Sequence, residues 1–208
     1  MAAVPARDHL TANQAARRTR VLDAAMQLAS EGGYDAVQMR DVATRAQVAL
    51  GTIYRYFSSK DELLAAALVE WASAVEQRLT ARPPRGPTAA ERLVDVLRRA
   101  SRSMERDPNL TAAFVTAIAS PDPAVAPWQH EMAAVLGALV SDALSGVAVD
   151  ERDGIVRVLS WVWFGALLGW VNGVDRRRDD RGRAGRRRPP PRPLGRVAGR
   201  WAPPPGRE

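Results

Sequence analysis

At 208 residues the chain can form one or two compact domains, and its 46% hydrophobic composition is that of an ordinary globular protein. It has no cysteine, which excludes disulfides and thiolate sites and leaves a reducing cytoplasm as the simple setting. The formal charge of +7 invites a nucleic-acid reading, yet residues 1–60 carry +3, residues 61–173 carry −4 and residues 174–208 carry +8, so the extreme basicity belongs to the tail.

The N-terminus lacks the apolar core of a signal peptide. "NQAARRTRVLDAAMQLASEGG" has Val21, Leu22, Ala25, Met26 and Ala29 near one face, which predicts a helix stopped by Gly32-Gly33. "MRDVATRAQ" predicts a second, short helix with Val42, Ala43 and Ala46 inward, and "LGTIYRYF" a third. "SKDELLAAALVEWASAVEQRL" predicts a long fourth helix, with Ser59 as N-cap and Asp61 and Glu62 in its first turn. "ARPPRGPT" then breaks the pattern and marks a boundary.

Beyond the break the chain reads as helical throughout. Thr88 followed three residues later by Glu91 has capping-box spacing, and Asp107-Pro108 separates that helix from "NLTAAFVTAIAS". "PAVAPWQHEMAAVLGALVSDAL" and "DERDGIVRVLSWVWFGALLGWVNG" follow. The longest apolar run, residues 158–171, falls short of the roughly 20 residues of a membrane-spanning helix, so no membrane partner is expected. No segment alternates with period two, so the expected fold is all-α. Its expected parts are an N-terminal helical head over 15–76 and a second helical domain over 83–173.

Residues 174–208 mix arginine, proline and glycine with few apolar residues and predict a disordered tail. A basic arm binding nucleic acid non-specifically is one reading. An out-of-frame reading of GC-rich coding sequence is the favoured one.

Two short helices joined by a turn, with a third ahead and a long one behind, suggest a helix-turn-helix over about 38–57. The second short helix would enter the major groove. Ile53 and Phe57, four apart, suit its inner face. That leaves Thr52, Tyr54, Arg55 and Tyr56 at the groove edge, where hydroxyl and guanidinium donors suit phosphate oxygens. Gly51 permits close backbone approach, and Lys60 adds a cation at a helix N-terminus. The same residues would also suit a solvated helix face, and the motif decides between the two.

The run from Val21 to Leu64 resembles the DNA-binding head of the TetR family of bacterial transcriptional regulators. The residues that carry the resemblance are Gly33, Tyr34, Arg40, Asp41, Val42, Ala43, Gly51, Thr52, Ile53, Tyr54, Phe57 and Lys60. It implies a dimeric regulator on a palindromic operator, with Arg40, Ala49, Leu50 and Tyr54 on bases, Thr52, Tyr56 and Lys60 on phosphates, and Arg55 on either. Two residues depart from the pattern. Gln47 stands where the family usually has the turn glycine, at a cost of about 1 kcal/mol if that position is left-handed. Gln38 replaces the usual serine or threonine cap and is left as an amide donor to phosphate.

"SEGGYDAVQMR", "GTIYRYF", "MERDPNLTAAF" and "VWFGALLGW" are most similar to the branch that represses cholesterol-catabolism genes. This implies a sterol-derived CoA thioester as effector, with a fatty acyl-CoA or drug-like molecule as alternatives. The family keeps its ligand cavity among the second-zone helices. Met104, Phe114, Trp128 and Trp163 are candidate lining there, although aromatic residues at helical spacing are more often core. A sequence-blind binder driven by the tail is the rival outside the family. No enzyme inventory is present: the two histidines, His9 and His130, form no metal motif, and no glycine-rich loop follows a strand. Neither a cofactor nor a metal is expected.

Overall fold

The structure is a computed structural model that describes residues 11–172, so the tail reading and His9 lie outside the described residues. Among the described residues there are eight helices and no strand. They are α1 (Ala12–Ala36), α2 (Met39–Ala46), α3 (Leu50–Tyr54), α4 (Lys60–Thr80), α5 (Ala89–Glu105), α6 (Pro108–Ile118), α7 (Ala126–Ser141) and α8 (Val149–Val171).

Local signals set most of the boundaries. Thr11 and Gln14 form a capping box at α1, and Thr88 and Glu91 form another at α5. Ser59 caps α4 by accepting from the Glu62 N–H, and Asp107 caps α6 with Pro108 at its first position. α1 breaks at Gly32-Gly33 as expected, since Gly33 takes φ 72°, but helix resumes for one further turn. Gln47 adopts φ 54° and ψ 48°, so the turn after α2 is left-handed despite carrying a side chain.

α4 is the spine. Every residue from Glu62 to Val69 is buried, because α1, α6 and α7 surround that half of the helix. A helix apolar all round needs such a position, and each fully buried leucine there contributes about 2 kcal/mol. One apolar cluster joins α1–α4 to α6 and the start of α7. A second joins α5, the end of α7 and α8. The core therefore runs on past the Pro/Gly connection at residues 81–88.

α8 would suit a membrane by length and composition alone. Helix extends well beyond the apolar run of residues 158–171, and Glu151–Val171, at mean hydropathy 1.6, is long and apolar enough to cross a membrane. None of that stretch is fully buried, and Val158, Trp161 and Val162 stand exposed. Its other side packs on α7, where Val156 lies 3.7 Å from the position of a Cβ on Gly137.

Candidate DNA-binding head and effector cavity

The head is built on α1, whose Val21, Leu22, Ala25 and Leu28 meet Val42, Ala43 and Ala46 of α2. The Gln47 N–H bonds to the carbonyls of Ala43 and Thr44, and Val48 N–H returns to Ala43, so the left-handed turn satisfies the end of α2. Ala49, extended, then opens α3.

α3 has two unlike sides. Ile53 is fully buried, and Phe57 beyond the helix end is nearly so. Tyr54 is 52% exposed, and Ala49, Gly51 and Arg55 are exposed with it. Leu50 and Thr52 are half-buried. A Cβ added to Gly51 would meet nothing within 4 Å, so no neighbour in the protein requires glycine there. On α2, Arg40 is exposed. Gln38 makes no side-chain cap and instead donates its amide to the Asp35 carbonyl at 3.0 Å. The structure thus brings Ala49, Gly51, Tyr54 and Arg55 together on one exposed edge, with Arg40 and Gln38 at the start of α2.

Tyr56 does not join them. It is 8% exposed, its ring lies against Phe57, and its hydroxyl is buried without a hydrogen-bond partner. Tyr56 follows the buried Ile53 by three residues, and the Tyr56 and Phe57 N–H groups both return to the Ile53 carbonyl, so the helical turn continues and carries Tyr56 to the inner face. Arg55 instead lies over the Tyr56 ring, 5.6 Å from its centre. Lys60 is also engaged within the head: its ammonium sits 3.7 Å from the centre of the Tyr34 ring and donates to the Tyr34 carbonyl.

Polar bonds tie the head to the helices beyond. The Tyr34 hydroxyl donates to Asp61, which also accepts from Ser120 at 2.6 Å. Burial, then the Asp61 carboxylate, pushes the Tyr34 phenol up to about 12. Arg18 of α1 pairs with Glu70 at 2.7 Å and lies over both Phe57 and Trp128.

A cavity of about 750 Å³ opens among α4, α5, α6, α7 and α8. Met104, Phe114 and Trp163 are among the residues that line it. Trp128 does not. It is 3% exposed and packs in the apolar cluster shared with the head, where Arg18 from α1 covers it. Sequence reasoning missed the α4 wall of Leu68, Trp71, Ala72 and Val75, although their three- and four-residue spacing is a legible stripe. It also missed Arg157, Gln129 and Ser160. Among the described residues no group of three or more metal-ligating side chains comes together.

Residues 21–67 match the family described as "Bacterial regulatory proteins, tetR family", and residues 86–179 match "Tetracyclin repressor-like, C-terminal domain". The chain is 40% identical to the HTH-type transcriptional repressor KstR of Rhodococcus jostii, over 82% of this chain and 80% of that protein. It is 39% identical to KstR of Mycobacterium tuberculosis, over 76% of this chain and 72% of that one. Among solved structures, a TetR transcriptional regulator from Rhodococcus sp. RHA1 superposes with TM-score 0.70 at 31% identity, covering 77% of this chain and 87% of that one.

Proposed function

The chain belongs to the TetR family of DNA-binding transcriptional regulators, and from that premise we propose that it is an effector-responsive repressor of lipid or sterol catabolism genes, acting in the cytoplasm as a homodimer. It is a regulator and not an enzyme. The observation that carries the reading is the division of α3 into a buried Ile53 base and an exposed Gly51–Tyr54–Arg55 edge. A helix seated by one face and bare on the other is what entry into a major groove requires.

On this reading Arg40, Ala49, Leu50 and Tyr54 meet base edges, while Gln38, Thr52 and Arg55 meet phosphates. Gly51 lets the α3 backbone approach closely. Lys60 steadies Tyr34 and adds positive charge to the same surface. Tyr56 is left out because its hydroxyl is buried. Two such heads must address half-sites one helical turn, about 34 Å, or a multiple apart.

The apolar cavity is the effector site on this reading, with Met104, Phe114 and Trp163 as contacts and a sterol-derived CoA thioester as the ligand. Its volume of about 750 Å³ is within the range that encloses a drug-sized molecule. The ligand acts by binding one spacing of the two heads better than the other.

An operator titration with and without ligand tests both halves. A sterol-derived CoA thioester is expected to release the operator and raise the melting temperature, by a stabilisation of about 2.7 kcal/mol at a hundredfold excess over Kd. Long-chain acyl-CoA and a drug-like cation form the comparison arms. Release by acyl-CoA alone would reassign the effector and leave the regulator reading in place.

A further inference from the structure

The turn between α2 and α3 holds a strained residue that the DNA contacts named above do not include. Among the described residues Gln47 alone carries a side chain at positive φ, with φ 54° and ψ 48°. A Cβ in that left-handed region crowds the following carbonyl oxygen, whereas glycine adopts it freely. Gln47 is also exposed, so no packing in the core holds it there.

The side chain does not serve the turn itself. The Gln47 N–H reaches the Ala43 and Thr44 carbonyls, and the Val48 N–H returns to Ala43 at 3.0 Å. The Ala46 carbonyl accepts from Arg20 Nε of α1 at 3.4 Å. These carbonyls at the end of α2 are thus satisfied without the Gln47 amide. No hydrogen bond among the described residues engages that amide. It offers two donors and an acceptor to a partner outside the chain.

Its position points to that partner. α2 buries Val42, Ala43 and Ala46, and its exposed residues divide into two flanks. On one flank Arg45 pairs with Glu31 of α1 at 2.6 Å, with Asp41 one turn before it. Arg40, Thr44 and Gln47 follow the other, four and then three residues apart, the spacing of one helical face. The Thr44 hydroxyl bonds back to the Arg40 carbonyl at 3.0 Å. The Arg40 guanidinium and the Gln47 amide have no partner among the described residues. Two positions past Gln47 the exposed edge of α3 begins at Ala49. Gln47 joins the Arg40 row to the Tyr54 edge, and a duplex that meets both must pass the turn between them.

We propose that Gln47 is a further DNA-contacting residue, its side-chain amide donating to a phosphate of the strand that borders the groove entered by α3. A turn beside the inserted helix meets the wall of the groove, where phosphate oxygens accept from side-chain amides. That contact offsets the conformational cost of an exposed left-handed residue. The proposal rests on the placement of α3 in the major groove. A neutral amide displaces no counterion, so the contact adds affinity without adding salt dependence.

The test uses the full chain and a duplex selected from a random-sequence pool by the wild type, with a scrambled duplex beside it. Gln47→Gly, Gln47→Ala, Gln47→Asn and Tyr54→Ala are titrated over a salt series and melted in parallel. Gln47→Gly should melt about 2–4 °C higher, as relief of left-handed strain does in a chain of this size. It should nevertheless bind both duplexes about tenfold more weakly, with the salt slope of wild type. Gln47→Ala keeps the strain and loses the amide, so its affinity should fall equally at an unchanged melting temperature. Gln47→Asn tolerates positive φ, keeps an amide and should recover part of the affinity. A Gln47→Gly variant with a raised melting temperature and unchanged affinity overturns the proposal. A loss that Gln47→Ala does not share assigns the effect to turn flexibility and also overturns it. A loss confined to the selected duplex overturns the phosphate assignment in favour of a base edge. Tyr54→Ala tests the premise: if it alone weakens binding, the Gln47 contact fails and the groove placement stands. If none of the four variants weakens binding, both fail.

Discussion

The Ser59 hydroxyl, which caps α4 by accepting from the Glu62 N–H, also donates to the Asp122 carboxylate at 2.6 Å. Asp122 accepts in addition from the Ala124 N–H at 2.9 Å, inside the turn between α6 and α7. The residue that caps α4, five positions after the end of α3, is thus bonded to the turn that ends the α6 wall of the cavity. Phe114, Ile118 and Ala119 stand in that wall or just past its end. A displacement of α6 by a ligand has a bonded route to the head.

The same contact predicts an acid dependence. The Ser59 hydroxyl, then the Ala124 N–H, hold the Asp122 carboxyl below the usual carboxylate range. A lowered folded value means the stabilisation is present above the unfolded pKa of about 3.9 and is lost as pH falls through the lower folded one. Asp122→Asn should therefore be less stable than wild type at neutral pH, with the gap closing below about pH 4. Urea midpoints measured across that range decide it. A gap that persists undiminished into strong acid would show that the carboxylate charge is irrelevant to the contact.

Tyr34 predicts the opposite limb. Its phenol is raised to about 12, chiefly by burial and then by the Asp61 bond. A raised folded value means the contribution is whole below the unfolded pKa of about 10 and is lost as pH rises through about 12. Tyr34→Phe should remove the corresponding late step from an ultraviolet titration and flatten the stability profile over that window. An unchanged late step would place the perturbed phenol elsewhere.

In the head, Tyr54→Ala should weaken operator binding by about 1–3 kcal/mol while leaving helical content intact, as loss of a base contact does. Arg55→Ala should instead weaken binding to all sequences alike and flatten the salt dependence by about one unit. Binding titrations on operator and scrambled DNA over a salt series separate the two. Equal, salt-independent losses at both positions would mean that α3 does not lie in the groove as described.

Tyr56→Phe removes a hydroxyl that is buried and unpartnered. An unsatisfied buried donor costs about 1–3 kcal/mol, so the variant should fold at least as stably as wild type. Operator affinity should be unchanged. A clear loss of affinity with stability preserved would restore Tyr56 to the DNA contacts.

Trp161 is 72% exposed on α8, with Val158 and Val162 beside it. If that face is the dimer surface, Trp161→Glu should turn a dimer into a monomer in analytical ultracentrifugation and weaken the operator complex. A dimer of unchanged strength would move the interface off this face.

Local chemistry made much of the architecture legible from sequence. Ser59, the Thr88–Glu91 box and Asp107-Pro108 mark helix starts by satisfying orphan N–H groups nearby in the chain. Gly32-Gly33 and the turn at Gln47 are likewise decided within a few residues, and so is the Gly-Thr-Ile-Tyr motif that identifies the head. What only the tertiary structure decided is which ring faces what. Tyr56, three residues after Ile53, lies at the margin of the buried face, and the packing of the head draws its ring inside while Arg55 stays outside. Trp128 and Trp163 read alike as helical aromatics. They part because α1, distant in sequence, brings Arg18 over Trp128 and seals it into the core, whereas the packing of α8 leaves Trp163 against the cavity. A cap is settled by its nearest neighbours, but the side a side chain faces depends on which distant helix arrives against it.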